Sequence, residues 1–138
     1  MLASDWILDH VGHAVLDLES AIEQYAQQFG FKVECRETVT SHLVEVAFLK
    51  LENTLIELLM PLPGNVTLNK FLSTRGPGLH HLGYSVQSVN DELKRLAALG
   101  VELIDKQARP GSRNCDVAFL HPRSCGGVLV ELCCEAKP

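Results

Sequence analysis

An internal duplication is the feature that most constrains how this chain can fold. The segment "LDHVGHAV" at 8–15 returns as "LHHLGYSV" at 79–86, and "VAFL" at 46–49 returns at 117–120. A unit that cannot bury a sheet face alone is expected to pack against its copy around a shared core. We therefore predict a single domain over residues 1–138, built from two matched modules.

Each half has the same pattern of elements. A short apolar strand precedes a helix whose apolar residues recur at three- and four-residue spacing, with Asp17 and Ser88 as N-caps and Gly30 and Gly100 at the ends. Strand-like runs follow in both halves. The pattern predicts an α+β fold of two β-α-β-β-β modules paired by pseudo-two-fold symmetry. Module 1 is expected at about 8–62, a connection with a short helix at about 63–77, and module 2 at about 78–135.

Composition excludes several classes of protein. A formal charge of -5 argues against nucleic acid or an anionic membrane surface as the main partner, and no apolar run approaches a membrane span. The N-terminus lacks the basic and apolar regions of a signal peptide. Five cysteines without C-x-x-C spacing predict reduced, buried thiols rather than disulfides or a thiolate metal site. These features predict a cytoplasmic protein.

Four polar residues keep their positions in both copies. His10 matches His81 within the repeated strand, and Glu57 in "LIELL" matches Glu131 in "LVELC". A lone strand histidine is more often a core residue than a ligand, and a lone strand glutamate often faces solvent. Together, in register across a duplication, the four favour a shared metal site, because a buried carboxylate is costly unless it is paired or bound to a cation.

Two imidazoles and two carboxylates suit a divalent transition ion. Nitrogen and oxygen ligands without thiolate fit Co, Mn, Ni, Fe or Zn, and the residue types do not select among these metals. Positions left open on the ion would admit water or substrate.

Several longer motifs give the chain a family resemblance. It has "DHVG" at 9–12, "IELLMPL" at 56–62, "FLSTRGPGLHHLGYSV" at 71–86, "ARPG" at 108–111 and "VAFLHPRSCGGVLVELC" at 117–133. In these motifs and in its paired modules the chain resembles the vicinal oxygen chelate (glyoxalase/bleomycin-resistance/dioxygenase) superfamily, and within it the methylmalonyl-CoA epimerases. The similarity covers nearly the whole chain, and the last motif is the most specific.

The resemblance implies a function and a set of site residues. It implies metal ligation by His10, Glu57, His81 and Glu131, although some epimerases have glutamine at the second position, where glyoxalase I-like members have glutamate. It implies a metal-dependent epimerase that interconverts the 2-epimers of an acyl-CoA through a metal-stabilised enolate, with Glu45 and Glu131 as the two bases. Strand alternation puts Glu45 in the cleft if its face of the strand lines that cleft. The resemblance further implies a homodimer.

The loop at 111–116 departs from the family pattern, and this loop is expected to shape the substrate mouth. Asp116 stands where the family often has a basic residue, and it matches Glu45 in the repeat, so it is a candidate third carboxylate in the cleft. Arg113 is expected to be a surface arginine, with contact to a CoA phosphate as the alternative. His121 is expected in a turn, which in this superfamily can lie near the substrate mouth.

Two other functions remain open at this point. A glyoxalase I-type lactoylglutathione lyase would use the same two histidines and two acids for proton transfer in a hemithioacetal. A non-enzymatic ligand-binding protein of the same superfamily is disfavoured by the 6% aromatic content and by the four retained ligand residues. A ring-cleaving dioxygenase is disfavoured because two-histidine, one-carboxylate iron sites keep more positions open.

Overall fold

The computed structural model describes residues 5–137, and its elements follow the repeated order expected from the sequence. The described chain has two units. The N-terminal module is His10–His80, and the C-terminal module combines residues 81–137 with the leading residues 5–9. The boundary between Asp9 and His10 falls inside the first strand.

The elements of the N-terminal module are β1 (Ile7–Ala14), α1 (Leu18–Phe29), β2 (Val33–Val39), β3 (Val44–Lys50), β4 (Leu55–Pro61) and α2 (Val66–Arg75). The strands form a sheet in the order β2-β3-β4-β1, in which β4 runs parallel to β1 and antiparallel to β3. The short helix predicted in the connection is present as α2.

The ends of α1 are set by the residues that the sequence identified. The Asp17 side chain accepts a hydrogen bond from the Ser20 backbone N–H at 2.8 Å, which satisfies one of the amides left free in the first turn. Gly30 ends the helix with φ 72°, a left-handed conformation that glycine adopts without steric cost. Both predicted helix boundaries are confirmed.

The two faces of β3 have different environments. Ala47 and Leu49 are fully buried in a core cluster that includes Leu18 of α1. Val46 and Phe48, on the opposite face, belong to a second cluster that includes residues of α2. The face of β3 that carries Phe48 is therefore turned away from α1.

The C-terminal module has the elements β5 (Gly78–Ser85), α3 (Val89–Ala98), β6 (Arg109–Pro110), β7 (Cys115–Leu120) and β8 (Val130–Glu135). Its strands repeat the plan of the first module in the order β5-β8-β7-β6, with β8 parallel to β5 and antiparallel to β7. Ser88 caps α3 by accepting a hydrogen bond from the Asp91 N–H at 3.2 Å, as predicted.

The second copy is not a full copy at its outer edge. β6 has two residues where its counterpart β2 has seven. Pro110 lacks the backbone N–H that a longer ladder would need.

Among the described residues, no helix is long and apolar enough to span a membrane.

Candidate metal centre

In the N-terminal module, His10 of β1 and Glu57 of β4 lie side by side. The parallel register places Glu57 opposite Gly12, two residues beyond His10 on the same face of the sheet. His10 Nε2 is 3.6 Å from Glu57 Oε1, and the two residues are only 1% and 8% exposed. The module therefore presents a buried imidazole and a buried carboxylate together.

An aromatic ring from the neighbouring strand packs against the histidine of this pair. Phe48 of β3 is the antiparallel partner of Glu57, and its ring meets the His10 imidazole edge to face, with 6.0 Å between centroids. Such packing limits the orientations open to the imidazole. One side of the pair is therefore packed against the apolar side chain of Phe48.

The C-terminal module has the same strand register around its own histidine, glutamate and phenylalanine. Glu131 of β8 lies opposite Gly83 of β5 and opposite Phe119 of β7. The Phe119 ring meets the His81 imidazole edge to face at 5.7 Å, and a ring nitrogen of His81 lies within 4.8 Å of a Glu131 carboxylate oxygen. His81 is 4% and Glu131 is 9% exposed. Each module thus contributes one histidine and one glutamate.

These donors suit a divalent metal ion. Imidazole nitrogen and carboxylate oxygen are common ligands of the first-row transition ions. Burial raises the pKa of the Cys115 thiol to about 11. Among the described residues no disulfide links the five cysteines, as predicted, but only Cys115 and Cys133 are buried and the other three are partly exposed.

Glu45 pairs with an arginine on its face of β3. It alternates with Val46, so it shares the α1 face of β3 with Ala47, away from Phe48. Its carboxylate accepts a hydrogen bond from Arg36 Nη2 at 3.1 Å, and Arg36 also pairs with Glu19 of α1. On this face Ala47 and Leu49 pack in the cluster that includes Leu18 of α1, and the role of Glu45 as a base stays a prediction.

Asp116 occupies the corresponding place in the second copy. It alternates with Cys115 and Val117, and it shares its face of β7 with Ala118, which packs in the core cluster with residues of α3. The equivalence of Asp116 with Glu45 therefore holds, and both lie on the helix side of their strands. Asp116 is not on the face that carries Glu131, which is the face of Phe119.

His121 lies in a turn, as expected. Its Nδ1 accepts a hydrogen bond from the Arg123 backbone N–H at 3.0 Å and is 3.3 Å from Glu102 Oε2. Arg123 Nη2 donates to the same Glu102 carboxylate at 3.2 Å. These contacts give His121 a structural role at the end of β7.

The expectation that Arg113 is a surface residue is wrong. Its side chain is 23% exposed, and its guanidinium forms an ion pair with the carboxylate of Asp9. Both residues line a cavity of about 520 Å³ in the C-terminal module, together with Ser85, Cys133 and Glu135. Sequence analysis missed Asp9, although it stands directly before His10 in the "DHVG" motif.

Comparison with known proteins gives consistent similarities. The model of the Glyoxalase/Bleomycin resistance protein/Dioxygenase superfamily matches residues 9–119. An uncharacterized Bacillus subtilis protein is 36% identical over 91% of this chain and 90% of its own length. The ethylmalonyl-CoA/methylmalonyl-CoA epimerase of Cereibacter sphaeroides is 37% identical over 91% and 95%.

A solved structure extends the similarity to three dimensions. A methylmalonyl-CoA epimerase in complex with methylmalonyl-CoA and NH4+ superposes with a TM-score of 0.90, at 31% identity over 94% of each chain. This agreement over nearly the full length confirms the α+β glyoxalase fold predicted from the duplicated sequence.

Proposed function

The chain belongs to the Glyoxalase/Bleomycin resistance protein/Dioxygenase superfamily as a methylmalonyl-CoA epimerase-like isomerase, and on that premise we propose that it interconverts the 2-epimers of methylmalonyl-CoA or a closely related acyl-CoA. The observation that carries the proposal is the matched arrangement, in each module, of a buried histidine and a buried glutamate beside a phenylalanine. The acyl-CoA substrate is supported by the epimerases to which the chain is similar.

We propose that His10, Glu57, His81 and Glu131 hold one divalent ion, which is Co, Mn, Ni, Zn or Fe. The His10–Glu57 pair at 3.6 Å and the proximity of His81 to Glu131, within 4.8 Å, support this set, as does the low exposure of all four residues. Such an ion supplies Lewis-acid stabilisation of the negative charge that develops on the thioester oxygen.

Epimerisation also needs acid–base groups for the two faces of the reacting carbon. One group removes the α-proton, and another returns a proton from the opposite side. Glu131 is one such group in our proposal. Glu57 is assigned as the second in place of Glu45, because Glu57 has the environment of Glu131 in the other copy whereas Glu45 is paired with Arg36 on the α1 face.

The apolar surroundings support proton transfer by these carboxylates. The rings of Phe48 and Phe119 pack edge to face on the two histidines, and both glutamates are less than one tenth exposed to water. Exclusion of water strengthens electrostatic interactions and protects a reactive carbanion from unwanted protonation.

The test is an activity screen linked to metal analysis. We expect the purified protein to contain a divalent ion, to take up solvent deuterium at the α-carbon of methylmalonyl-CoA, and to racemise that substrate. Removal of the ion by a chelator should abolish both activities, and its return should restore them. Turnover of a glutathione hemithioacetal without exchange in any acyl-CoA would instead identify a glyoxalase I-type lyase.

The proposed homodimer and cytoplasmic location are independent of this chemistry. Sedimentation of the purified protein would give the oligomeric state, and fractionation of the source cells would give the location. A monomer in sedimentation would contradict the first of these proposals.

A further inference from the structure

The first strand changes partners directly before a proposed metal ligand. Residues 5–9 group with the C-terminal module, where Trp6 packs against Tyr84 with 5.8 Å between ring centroids. From His10 onward the chain belongs to the N-terminal module, and His10 is the first residue of β1 paired with β4. Asp9 is therefore the last residue held by one unit before the chain enters the other.

Asp9 is held by a loop with a constrained backbone. The Gly111 N–H donates to the Cys115 carbonyl at 2.8 Å, and the Ala136 N–H donates to the Asn114 carbonyl at 2.9 Å. Arg113 and Asn114 between them both have φ near +55°, which is uncommon for residues other than glycine and costs free energy. Such strain persists only where the surrounding structure fixes the chain.

Gly111 contributes to the same constraint. A β-carbon at this position would lie 2.8 Å from Val117 Cγ1, so only glycine lets the loop approach β7 this closely. The loop is thus pinned at its start, at its end and against the sheet. Because the backbone of the loop is fixed, the Arg113 side chain leaves it in one direction.

The contact between Arg113 and Asp9 is a partly buried ion pair. The two side chains are 23% and 18% exposed. Burial by itself lowers the pKa of Arg113, but the hydrogen bond and negative charge of Asp9 outweigh it and raise the pKa, so the guanidinium stays charged. Removing one partner of such a pair leaves a poorly solvated charge on the other.

We propose that Arg113 is a positioning residue that holds Asp9 and, through the peptide bond, the backbone of His10 in the place from which its imidazole binds the metal ion. This inference rests on the proposed function, since it needs His10 to be a ligand. The ion pair joins residues 104 positions apart in sequence, at the point where β1 leaves the C-terminal module. Partners that orient a ligand typically change metal affinity by roughly 10- to 100-fold when they are lost.

The test measures Co²⁺ affinity by competition with a chelator, together with the visible absorption of bound Co²⁺. The variants are Arg113→Met, Asp9→Asn and the double variant, with Arg109→Met as a matched control that breaks the ion pair to Asp105 in the same module. We expect the first three to lose Co²⁺ affinity to a similar extent, roughly tenfold, and to share an altered spectrum. The control should resemble wild type.

Whether each substitution raises or lowers the Co²⁺ affinity separates a positioning role for Arg113 from other roles. A through-space effect of charge would make Arg113→Met bind the cation more tightly and Asp9→Asn more weakly. Direct ligation by Asp9 would weaken binding only where Asp9 is replaced. Either result, or unchanged affinity in both single variants, would overturn the proposal.

Two further measurements keep a destabilised variant informative. Thermal unfolding of the metal-free proteins should show the double variant recovering stability relative to Arg113→Met, while its Co²⁺ affinity stays low. Arg113→Lys, which keeps a charge for Asp9, should regain part of the affinity, and a value no better than Arg113→Met would count against the proposal. Wild-type protein that binds no Co²⁺ or other divalent ion would refute the proposed function and this inference with it.

Discussion

Glu57 and Glu131 have the most unusual environments at the level of single residues. Each is a carboxylate less than one tenth exposed, next to a histidine and opposite a phenylalanine. Removing a carboxylate from water costs free energy that a cation or hydrogen-bond donors must offset. Their retention at matched positions favours a role in binding and proton transfer over a role in packing.

Substitution of the three glutamates tests this assignment. We expect Glu131→Gln and Glu57→Gln each to lower the epimerisation rate by about 10²- to 10⁴-fold, the usual contribution of a general base. Each variant should still exchange the α-proton of the one epimer that its remaining carboxylate serves. Deuterium uptake from each separate epimer measures this, with metal content determined in parallel.

Glu45→Gln is the comparison variant for this experiment. It should epimerise at a rate close to wild type, because Glu45 pairs with Arg36 on the α1 face of β3. A Glu45→Gln protein that keeps its ion but loses exchange would restore to Glu45 the role that the sequence resemblance implied.

At the scale of elements, α1 and α3 each cover one face of their sheet, and the histidines lie on the opposite face. Ala47 and Leu49 pack in a cluster with residues of α1, and Ala118 packs in a cluster with residues of α3. Because side chains alternate along a strand, the next residues point to the opposite face. The packing of each helix therefore decides which residues can reach the proposed metal ion.

The caps of α1 and α3 should differ in their dependence on pH. Hydrogen bonds from Ser20 lower the pKa of Asp17 below its ordinary value. A carboxyl with a lowered pKa in the folded state stabilises the protein above its unfolded-state pKa, and this contribution is lost as the pH falls through the folded-state pKa. The destabilisation caused by Asp17→Ala should accordingly shrink in acid.

Ser88→Ala is the matched control, because a hydroxyl does not titrate in this range. It should cost about 1 kcal/mol of unfolding free energy at every pH. Denaturant unfolding of both variants between neutral pH and pH 3 makes the comparison. A destabilisation by Asp17→Ala that is constant with pH would rule out the ionised carboxylate as the cap.

At the scale of the whole molecule, the repeat makes each module supply half of the proposed ligand set. Since the two halves have the same strand register around histidine, glutamate and phenylalanine, they should contribute similarly to metal binding. We expect His10→Ala and His81→Ala each to lower metal affinity by more than about 100-fold, beyond the effect of losing an orienting partner.

His121→Gln serves as the control for these variants, because His121 is held in an exposed turn by Glu102 and Arg123. Elemental analysis after dialysis, and affinity measured by chelator competition, give the comparison. Full metal content in His81→Ala would break the equivalence of the two modules.

Features that depend on neighbouring residues could be predicted from the sequence. The caps at Asp17 and Ser88, the order of elements along each module and the matched positions of the four candidate ligands all follow from local spacing and from the duplication. Local hydrogen bonds and alternation determine these features, so a single sequence contains the information.

The sequence by itself determined that the chain is a duplicated α+β protein with a histidine and a glutamate at equivalent positions of each copy. Only the tertiary structure decided that Glu45 faces α1, that β6 shrinks to two residues, and that Arg113 reaches Asp9 across 104 positions. The physical reason is that alternation defines two faces of a strand but does not say which one a helix will cover. That choice, like a long-range ion pair, depends on the burial of apolar surface by the folded chain.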